Sequence, residues 1–297
     1  MFVKHVSEDS LAIGAPAKLN LYLKVLGKRS DGFHEIDSIF QAISLFDRLR
    51  FTRLDDSSNP EISITGASDL PTDESNLVAR AFRLMQAEFG FRGGLRVELE
   101  KNIPVAAGLG GGSADGAATI LACAALFDLT RDFSQLAEIS AQIGSDLPFF
   151  FSEGQAHVTG RGEIVTPIEL PIDYWLVLVT PNLTVSTAEA YANLRLPLTN
   201  SPGTRSFRGW RMSSELVKWL ADTGNDFEPL QCGAFGEIRT AVRNLTETGA
   251  EFVRMSGSGP TVFGIYYGVP DIDGDRVFSR TDWRISTARP IRLPARL

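Results

Sequence analysis

A chain of 297 residues with 43% hydrophobic and 22% charged residues has the composition of an ordinary globular protein, long enough for one large or two medium domains. Its formal net charge of −7 argues against a general nucleic-acid binder, which needs a basic surface to neutralise phosphates. Cys123 and Cys232 make neither a disulfide framework nor a zinc site, no run approaches the roughly 20 apolar residues of a membrane span, and the charged start around Lys4, Glu8 and Asp9 is no signal peptide, so a cytoplasmic protein is expected.

Leu19, Leu21, Leu23 and Val25 alternate with Asn20, Tyr22 and Lys24, which predicts a strand over 17–26 with one buried and one polar face. Gly27 to Gly32 reads as a turn, 36–53 as further strand and 61–65 as another. From Leu77 to Phe89 the apolar residues Leu77, Val78, Ala81, Phe82, Met85 and Phe89 keep helical spacing, and Gly90 stops them. Leu95, Val97 and Leu99 alternate with charged residues as a strand. After a glycine-rich stretch, Ala114 to Leu126 reads as a buried helix with Ser113 at its N-cap.

A short helix is expected over 134–143, with Asp132 and Gln135 spaced as a capping box. Strands over 155–159 and 163–168 flank the turn Gly160-Arg-Gly162, and Tyr174 to Thr180 is a strongly apolar strand. Beyond it, helices are expected over 186–193, 213–221 and 230–248, and strands over 252–255, 261–267 and 283–292. Residues 195–212, with Arg195, Arg205, Arg208 and Arg211, read as a solvated loop, while 270–297 carries little pattern beyond that last strand. The order of elements indicates α+β layers with a second lobe starting near 165–180.

The most informative stretch is Pro104-Val-Ala-Ala-Gly-Leu-Gly-Gly-Gly-Ser-Ala114, where Gly108, Gly110, Gly111 and Gly112 stand between a strand and a helix. Glycines let backbone N–H groups turn inward, and a helix start adds unpaired donors, which together suit a phosphate. A tight turn of no further function would look the same. There is no lysine between Gly112 and Ser113, as a Walker A loop requires, and no third glycine of a dinucleotide fingerprint, so the nucleotide and the reaction stay open.

Four further segments carry chemistry. In Ala15-Pro-Ala-Lys18-Leu-Asn20, Lys18 and Asn20 share a strand face, as they would on a solvated edge strand. In Asp31-Gly-Phe33-His34, an aromatic ring and an imidazole at a loop mouth suit a planar base, or a hairpin tip packed on its own strand. Asp146, between Gly144-Ser145 and the run Leu-Pro-Phe-Phe-Phe151, is either a helix cap or a carboxylate whose burial against apolar groups suits it to accept a proton. Met255-Ser-Gly-Ser-Gly-Pro-Thr261 is a second glycine-rich turn.

Taken in this order, from Ala15 to Tyr266, the segments resemble the GHMP small-molecule kinase superfamily. Pro-Ala-Lys-Leu-Asn and Asp-Gly-Phe-His point, within it, to kinases whose acceptor carries a cytidine diphosphate group. The resemblance implies a two-lobed α+β fold, with a ribosomal-protein-S5-like, ATP-binding lobe over 1–168 and a ferredoxin-like lobe over 169–297. It implies ATP as phosphoryl donor, Mg2+ with it, and an alcohol as acceptor. Lys18 and Asp146 match the catalytic pair, with Asp146 taking the hydroxyl proton and Lys18 offsetting charge on the moving group. Pro104, Val105, Ala106, Ala107, Gly108, Leu109, Gly110, Gly111, Gly112, Ser113 and Ala114 match the ATP-phosphate loop, and Lys101 a position near the nucleotide.

On the acceptor side, Asn20, Phe33, His34, Thr187 and Tyr191 match the substrate contacts: cytosine stacks on Phe33, bonds His34 at its edge, and is closed over by Tyr191. Phe33 stands where most relatives have Tyr, and Asp115 where relatives have Asn, so Asp115 is given no role. The partners implied are small molecules, with no nucleic acid and no membrane, and the chain is implied to be a monomer or weak homodimer. The alternative is another kinase of the superfamily, of the homoserine or mevalonate type, although those acceptors lack a flat base. A dinucleotide oxidoreductase would need an acidic residue ending a βαβ unit; Asp128 and Asp132 lie near that distance but lead into a helix.

Overall fold

The computed structural model describes residues 1–67, 69–130, 132–194, 209–272 and 282–294. The expectations for 195–208, 273–281 and 295–297 therefore lie outside the described residues.

Two long strands organise the first sheet. β1 (Phe2–Ser7), which the alternation pattern did not reveal, pairs with the outer edge of β2 (Ser10–Lys28). β2 runs in both directions beyond the predicted 17–26 and pairs antiparallel with β3 (His34–Leu54) along nearly its whole length. β4 (Pro60–Thr65) follows, and then α1 (Leu77–Phe89), where the Asn76 side chain accepts a bond from the Val78 N–H and Gly90 ends the helix in the left-handed region. β5 (Gly94–Glu100) pairs with the second half of β3 and runs parallel to β4.

α2 (Gly111–Leu126) follows the glycine-rich loop and is buried on nearly every side, as its unbroken apolar run predicts. Ser113 is not its N-cap. The helix starts two residues earlier, and the cap position is Gly110, at φ 69°. α3 (Phe133–Ser140) is capped by Asp132, whose carboxylate accepts from the N–H groups of Ser134 and Gln135, but the other half of the expected capping box is replaced, the Asp132 N–H donating to Thr130 Oγ1, and the helix ends at Ser140 and leaves 141–143 as a turn. A short 3-10 helix (Leu147–Phe151) carries the aromatic run inward. β6 (Gln155–Gly160) pairs with the first half of β3, and β7 (Ile164–Pro167) pairs with β6.

One face of this sheet is closed by α1, α2 and α3: Leu49, Phe51 and Val97 from the strands meet Phe82, Met85, Ile120, Leu121 and Leu136 from the helices.

The second sheet is fully antiparallel. β8 (Trp175–Thr180) leads to α4 (Thr187–Asn193) and α5 (Ser213–Ala221). The helix expected over 230–248 is two helices, α6 (Glu228–Ala234) and α7 (Gly236–Glu247). Phe235 between them is extended at φ −122° and ψ 111°, and the flanking Gly233 and Gly236 weaken any continuous helix. β9 (Phe252–Met255), β10 (Val262–Tyr266) and β11 (Arg284–Ala288) complete the sheet in the order β11-β8-β10-β9.

β2 belongs to both cores. Leu19, Leu21 and Tyr22 pack with Leu176, Leu178, Phe263 and Ile265 of the second sheet, and Leu23 and Val25 with Val177, Val179 and Leu245. Its expected polar face is buried too, with Lys18 4% and Asn20 3% exposed, and β2 lies between β1 and β3 rather than at an edge. Residues 289–293 return to the first lobe: Ser44 N–H donates to Arg289 O, Ile291 N–H to Ala42 O, and Leu293 joins the first core.

The Asp132 cap gives a direct check on this part of the fold. Asp132→Ala should lower stability by about 1 kcal/mol, the usual cost of losing a helix cap, read as a shifted denaturant midpoint with an unchanged slope.

Candidate active site

Lys18 is held in the sheet by its own strand and aimed out of it by its neighbours. Its Nζ donates to Asn20 Oδ1 at 2.5 Å, lies 3.3 Å from Asp146 Oδ2 and sits 4.5 Å over the Phe40 ring. Asn20 Nδ2 donates in turn to Ser38 Oγ. Asp146 stands at the head of the 3-10 helix, yet its side chain caps nothing and faces Lys18 instead. The expected burial of Asp146 against the aromatic run is corrected here: Phe149, Phe150 and Phe151 turn into the core, and the Asp146 side chain stays 31% exposed at the mouth of a cavity.

The glycine-rich loop lies directly on Lys18. The Lys18 N–H donates to Leu109 O, and a Cβ at Gly110 would meet Lys18 Cγ at 2.9 Å, on a backbone already in the left-handed region. This is why glycine rather than serine occupies the start of α2. A Cβ at Gly108 would fall 2.2 Å from Ser256 O, so the second glycine-rich turn presses on the loop from the other side. The first bond of the α2 ladder runs from Ala114 N–H to Gly110 O, which leaves the N–H groups of Gly111, Gly112 and Ser113 outside it, at the positive end of the helix.

The loop residues Pro104 to Gly108 and Gly110 to Ser113 line a cavity of about 400 Å³ together with Lys18, Asn20 and Asp146. Leu109 and Ala114 are buried behind it. Leu70, Pro71, Ser75, Asn76 and Leu77 form a further wall, which no sequence pattern marked.

Lys101 borders this cavity but its ammonium is already engaged: it bonds Asp47 Oδ2 at 2.5 Å and Asp115 Oδ2 at 2.8 Å, all three side chains being buried. Asp47 Oδ1 also accepts from the N–H groups of Asn102 and Ile103, so the cluster pins the chain where it enters the loop. Burial opposes the Lys101 charge, but Asp115 and Asp47 outweigh it and hold the ammonium above its ordinary range. Burial pushes the Asp115 carboxyl up to about 8, against the pull of Lys101. Asp115, given no role from sequence, is therefore part of the loop's foundation.

A second cavity of about 580 Å³ opens beside the first, lined by Lys28, Gly32, Phe33, His34, Ser145 and Ala188 among others. Asp146, Arg161, Thr187 and Tyr191 line both cavities. His34 stacks on Tyr191, centroids 4.8 Å apart at 25°, and Phe33, 49% exposed, lies under the Arg161 guanidinium at 4.9 Å. The two rings expected to face a base are thus both here, but Tyr191 is covered by His34 rather than standing open opposite Phe33. Thr187 Oγ1 bonds Ser258 Oγ at 3.0 Å. Burial, and then the Asp146 charge, push the Tyr191 phenol upward, and burial followed by Lys28 pulls the His34 imidazole down. Arg161, which the sequence marks as a turn residue alone, lines both cavities.

The Asp115 carboxyl makes stability depend on pH in a particular sense. Its folded value of about 8 lies above the ordinary 3.8, so between these the folded state holds a proton that the unfolded chain has lost, and stability falls as pH rises through that range. Asp115→Asn keeps the neutral shape and should gain thermal midpoint on the parent from about pH 5 to about pH 8, with the two curves parallel below about pH 4. A difference independent of pH would show that the carboxyl is ionised throughout.

Comparison with known proteins agrees with this geometry. Residues 76–154 match the GHMP kinases N terminal domain and 210–276 the GHMP kinases C terminal family. The chain is 40% identical over 255 residues, 86% of its length and 88% of the relative's, to a 4-diphosphocytidyl-2-C-methyl-D-erythritol kinase of Geobacillus thermodenitrificans. It is also 40% identical over 259 residues, with the same coverage of both chains, to the enzyme of that name from Bacillus cereus. A crystal structure of 4-(cytidine 5'-diphospho)-2C-methyl-D-erythritol kinase superposes with a TM-score of 0.73 at 32% identity, covering 94% of this chain and 99% of that one. Homoserine kinase from Cytophaga hutchinsonii, at 18% identity and a TM-score of 0.69 over 99% of this chain and 98% of its own, shares the fold. With its two-lobed α+β architecture, the chain belongs to the 4-diphosphocytidyl-2-C-methyl-D-erythritol kinase family of the GHMP kinases.

Proposed function

We propose that the chain transfers the γ-phosphoryl group of ATP to the 2-hydroxyl of 4-diphosphocytidyl-2-C-methyl-D-erythritol, giving the 2-phosphate and ADP in non-mevalonate isoprenoid precursor biosynthesis. The observation that carries this reading is the position of Asp146, which lines both the cavity under the glycine-rich loop and the cavity bearing Phe33, His34 and Tyr191, with Lys18 3.3 Å away. A donor phosphate and an acceptor hydroxyl brought from opposite sides meet at this pair.

In the reaction, the substrate hydroxyl gives its proton to Asp146, its oxygen bonds to the γ-phosphorus, and the bond to the β-phosphate oxygen breaks to release ADP. Proton acceptance of this kind contributes about 10²–10⁴-fold. Lys18 offsets the negative charge on the group in transit, and the N–H groups from Gly108 to Ser113 hold the phosphate tail. The purine end lies against Leu70, Pro71, Asn76 and Leu77. Asn20 and Thr187 hold the methylerythritol portion. Cytosine stacks on Phe33 with its edge on His34, and Tyr191 closes the other face once the His34–Tyr191 stack opens; Arg161, at the junction, meets the diphosphate.

Mg2+ enters with ATP. Among the described residues there is no cluster of three His, Cys, Asp or Glu that could hold a metal; the Ser113 hydroxyl, which lines the cavity under the glycine-rich loop, is the side chain that would help hold it. When bound it neutralises phosphate charge. Residues 1–168 serve ATP and also bring Asn20, Phe33 and His34 to the acceptor, while 169–297 adds Thr187 and Tyr191 to close the acceptor chamber. No helix among the described residues is long and apolar enough to cross a membrane, and we assign the enzyme, as a monomer or weak homodimer, to the cytoplasm.

Two substitutions test the assignment. Asp146→Asn should abolish phosphorylation of the diphosphocytidyl substrate while leaving ATP binding, followed by calorimetry, nearly unchanged; full turnover would sink the role of this carboxylate. Phe33→Ala should raise KM for the same substrate by about 5- to 150-fold, the equivalent of roughly 1–3 kcal/mol of base stacking. An unchanged KM would remove Phe33 from the cytosine site.

A further inference from the structure

Four consecutive residues that the sequence pattern did not single out, Asn225 to Glu228, tie together β2, Tyr191 and the turn that follows Met255. Asp226 pairs with Lys24 at 2.6 Å and accepts from the Val25 N–H, fixing the segment to β2. Phe227, fully buried, sets its ring edge-on to Tyr191 at 4.8 Å. Glu228 accepts from the Met255 N–H at 2.5 Å. Asn225, 3% exposed, uses both amide hydrogens on one turn: Nδ2 donates to Met255 O at 2.8 Å and to Gly257 O at 2.7 Å, while Oδ1 accepts from the Phe227 N–H.

The turn held in this way touches every party to the reaction. Ser256 Oγ accepts from the Asn20 N–H and donates to Gly108 O, so it ties the strand bearing Lys18 to the phosphate loop. The Thr261 N–H donates to Ala107 O, and Ser258 bonds Thr187. The turn closes on itself through the Ser256 N–H to Thr261 O and Gly259 N–H to Ser256 O bonds, and its two glycines leave the backbone between Met255 and Ser258 with little steric restraint of its own. The two carbonyls gripped by Asn225 flank Ser256, the residue through which loop and strand are joined.

We propose that Asn225 is a positioning residue for phosphoryl transfer: by clamping the Ser256–Gly257 peptide from both sides, it sets the alignment of the phosphate loop with the acceptor. The role rests on the functional reading above. Asn225 touches neither substrate, so its effect falls on geometry at the moment of transfer and less on the binding of either partner. Misplacement by about 1 Å at a reacting centre costs on the order of 100-fold in rate.

The test compares Asn225→Asp, which keeps the volume and the Phe227 bond but replaces both donors with acceptors, with Glu228→Ala and Glu228→Gln. Steady-state kinetics with ATP and 4-diphosphocytidyl-2-C-methyl-D-erythritol are run beside calorimetric Kd values for ATP and CDP and a thermal midpoint. We expect Asn225→Asp to lower kcat by about 10- to 100-fold with both Kd values within about threefold. Glu228→Ala, which frees the other side of Met255, should lower kcat in the same pattern, and Glu228→Gln, which keeps an acceptor oxygen, should restore it. Unchanged kcat in Asn225→Asp, or Kd values that weaken as much as kcat falls, would overturn the positioning role. If Asn225→Asp does not fold, the Glu228 pair decides on the same criteria. No turnover by the parent enzyme would instead overturn the functional reading, and this role with it.

Discussion

The structure depends on placing one ammonium group inside a sheet. Lys18 points from a strand buried on both faces, and a buried charge is tolerated when its hydrogen-bonding capacity is met by partners. Asn20, Asp146 and the face of Phe40 meet it from three directions. Its aliphatic stem then dictates what passes above: the loop over Lys18 has no room for a side chain at Gly110. The conformation that glycine permits there is the one that turns the start of α2 toward the cavity. A single long side chain thus sets the charge beside Asp146 in the cavity and the shape of the glycine-rich loop.

The same economy recurs on the acceptor side. Asp146 belongs to the first lobe, Thr187 and Tyr191 to the elements that follow β8, and β2 lies between the two cores as a wall common to both. The Ser256 hydroxyl stitches these parts together, accepting from the Asn20 N–H and donating to Gly108 O. The buried Asp47–Lys101–Asp115 cluster does for the base of the loop what Ser256 does for its tip.

Much of this was legible in the residues. Periodicity located α1 at Leu77–Phe89 and α5 at Ser213–Ala221 to the residue, because both carry amphipathic spacing, which in α1 is also bounded by the Asn76 cap and the Gly90 stop. The positions of Lys18, Asp146 and the glycine-rich loop were readable as motifs, and the structure brings them together. What the residues hid has definite causes. β1 is short and lacks alternation, since Phe2 and Val6 stay exposed and its pairing comes from β2. The break at Phe235 is made by packing, which local propensity reports weakly. The Asp115 and Asn225 contacts join separate elements, and no spacing rule within one element can announce bonds that span 14 and 32 residues. The self-stacking of His34 on Tyr191 is equally a tertiary event, invisible from Asp-Gly-Phe-His alone.

The return of residues 289–293 to the first lobe alters what the second lobe can do. Because Ile291 bonds Ala42 and Leu293 fills the first core, the polypeptide between β7 and Arg289 is an insertion anchored at both of its feet. Together with the packing of Leu19, Leu21 and Tyr22 on the second sheet, this return joins the two lobes along β2 and β3 and not through one linker. Ala42 and Ser44, which meet Ile291 and Arg289, lie in β3, the strand that pairs with β2 beside Lys18, so the chain's return and the cavity share one piece of sheet.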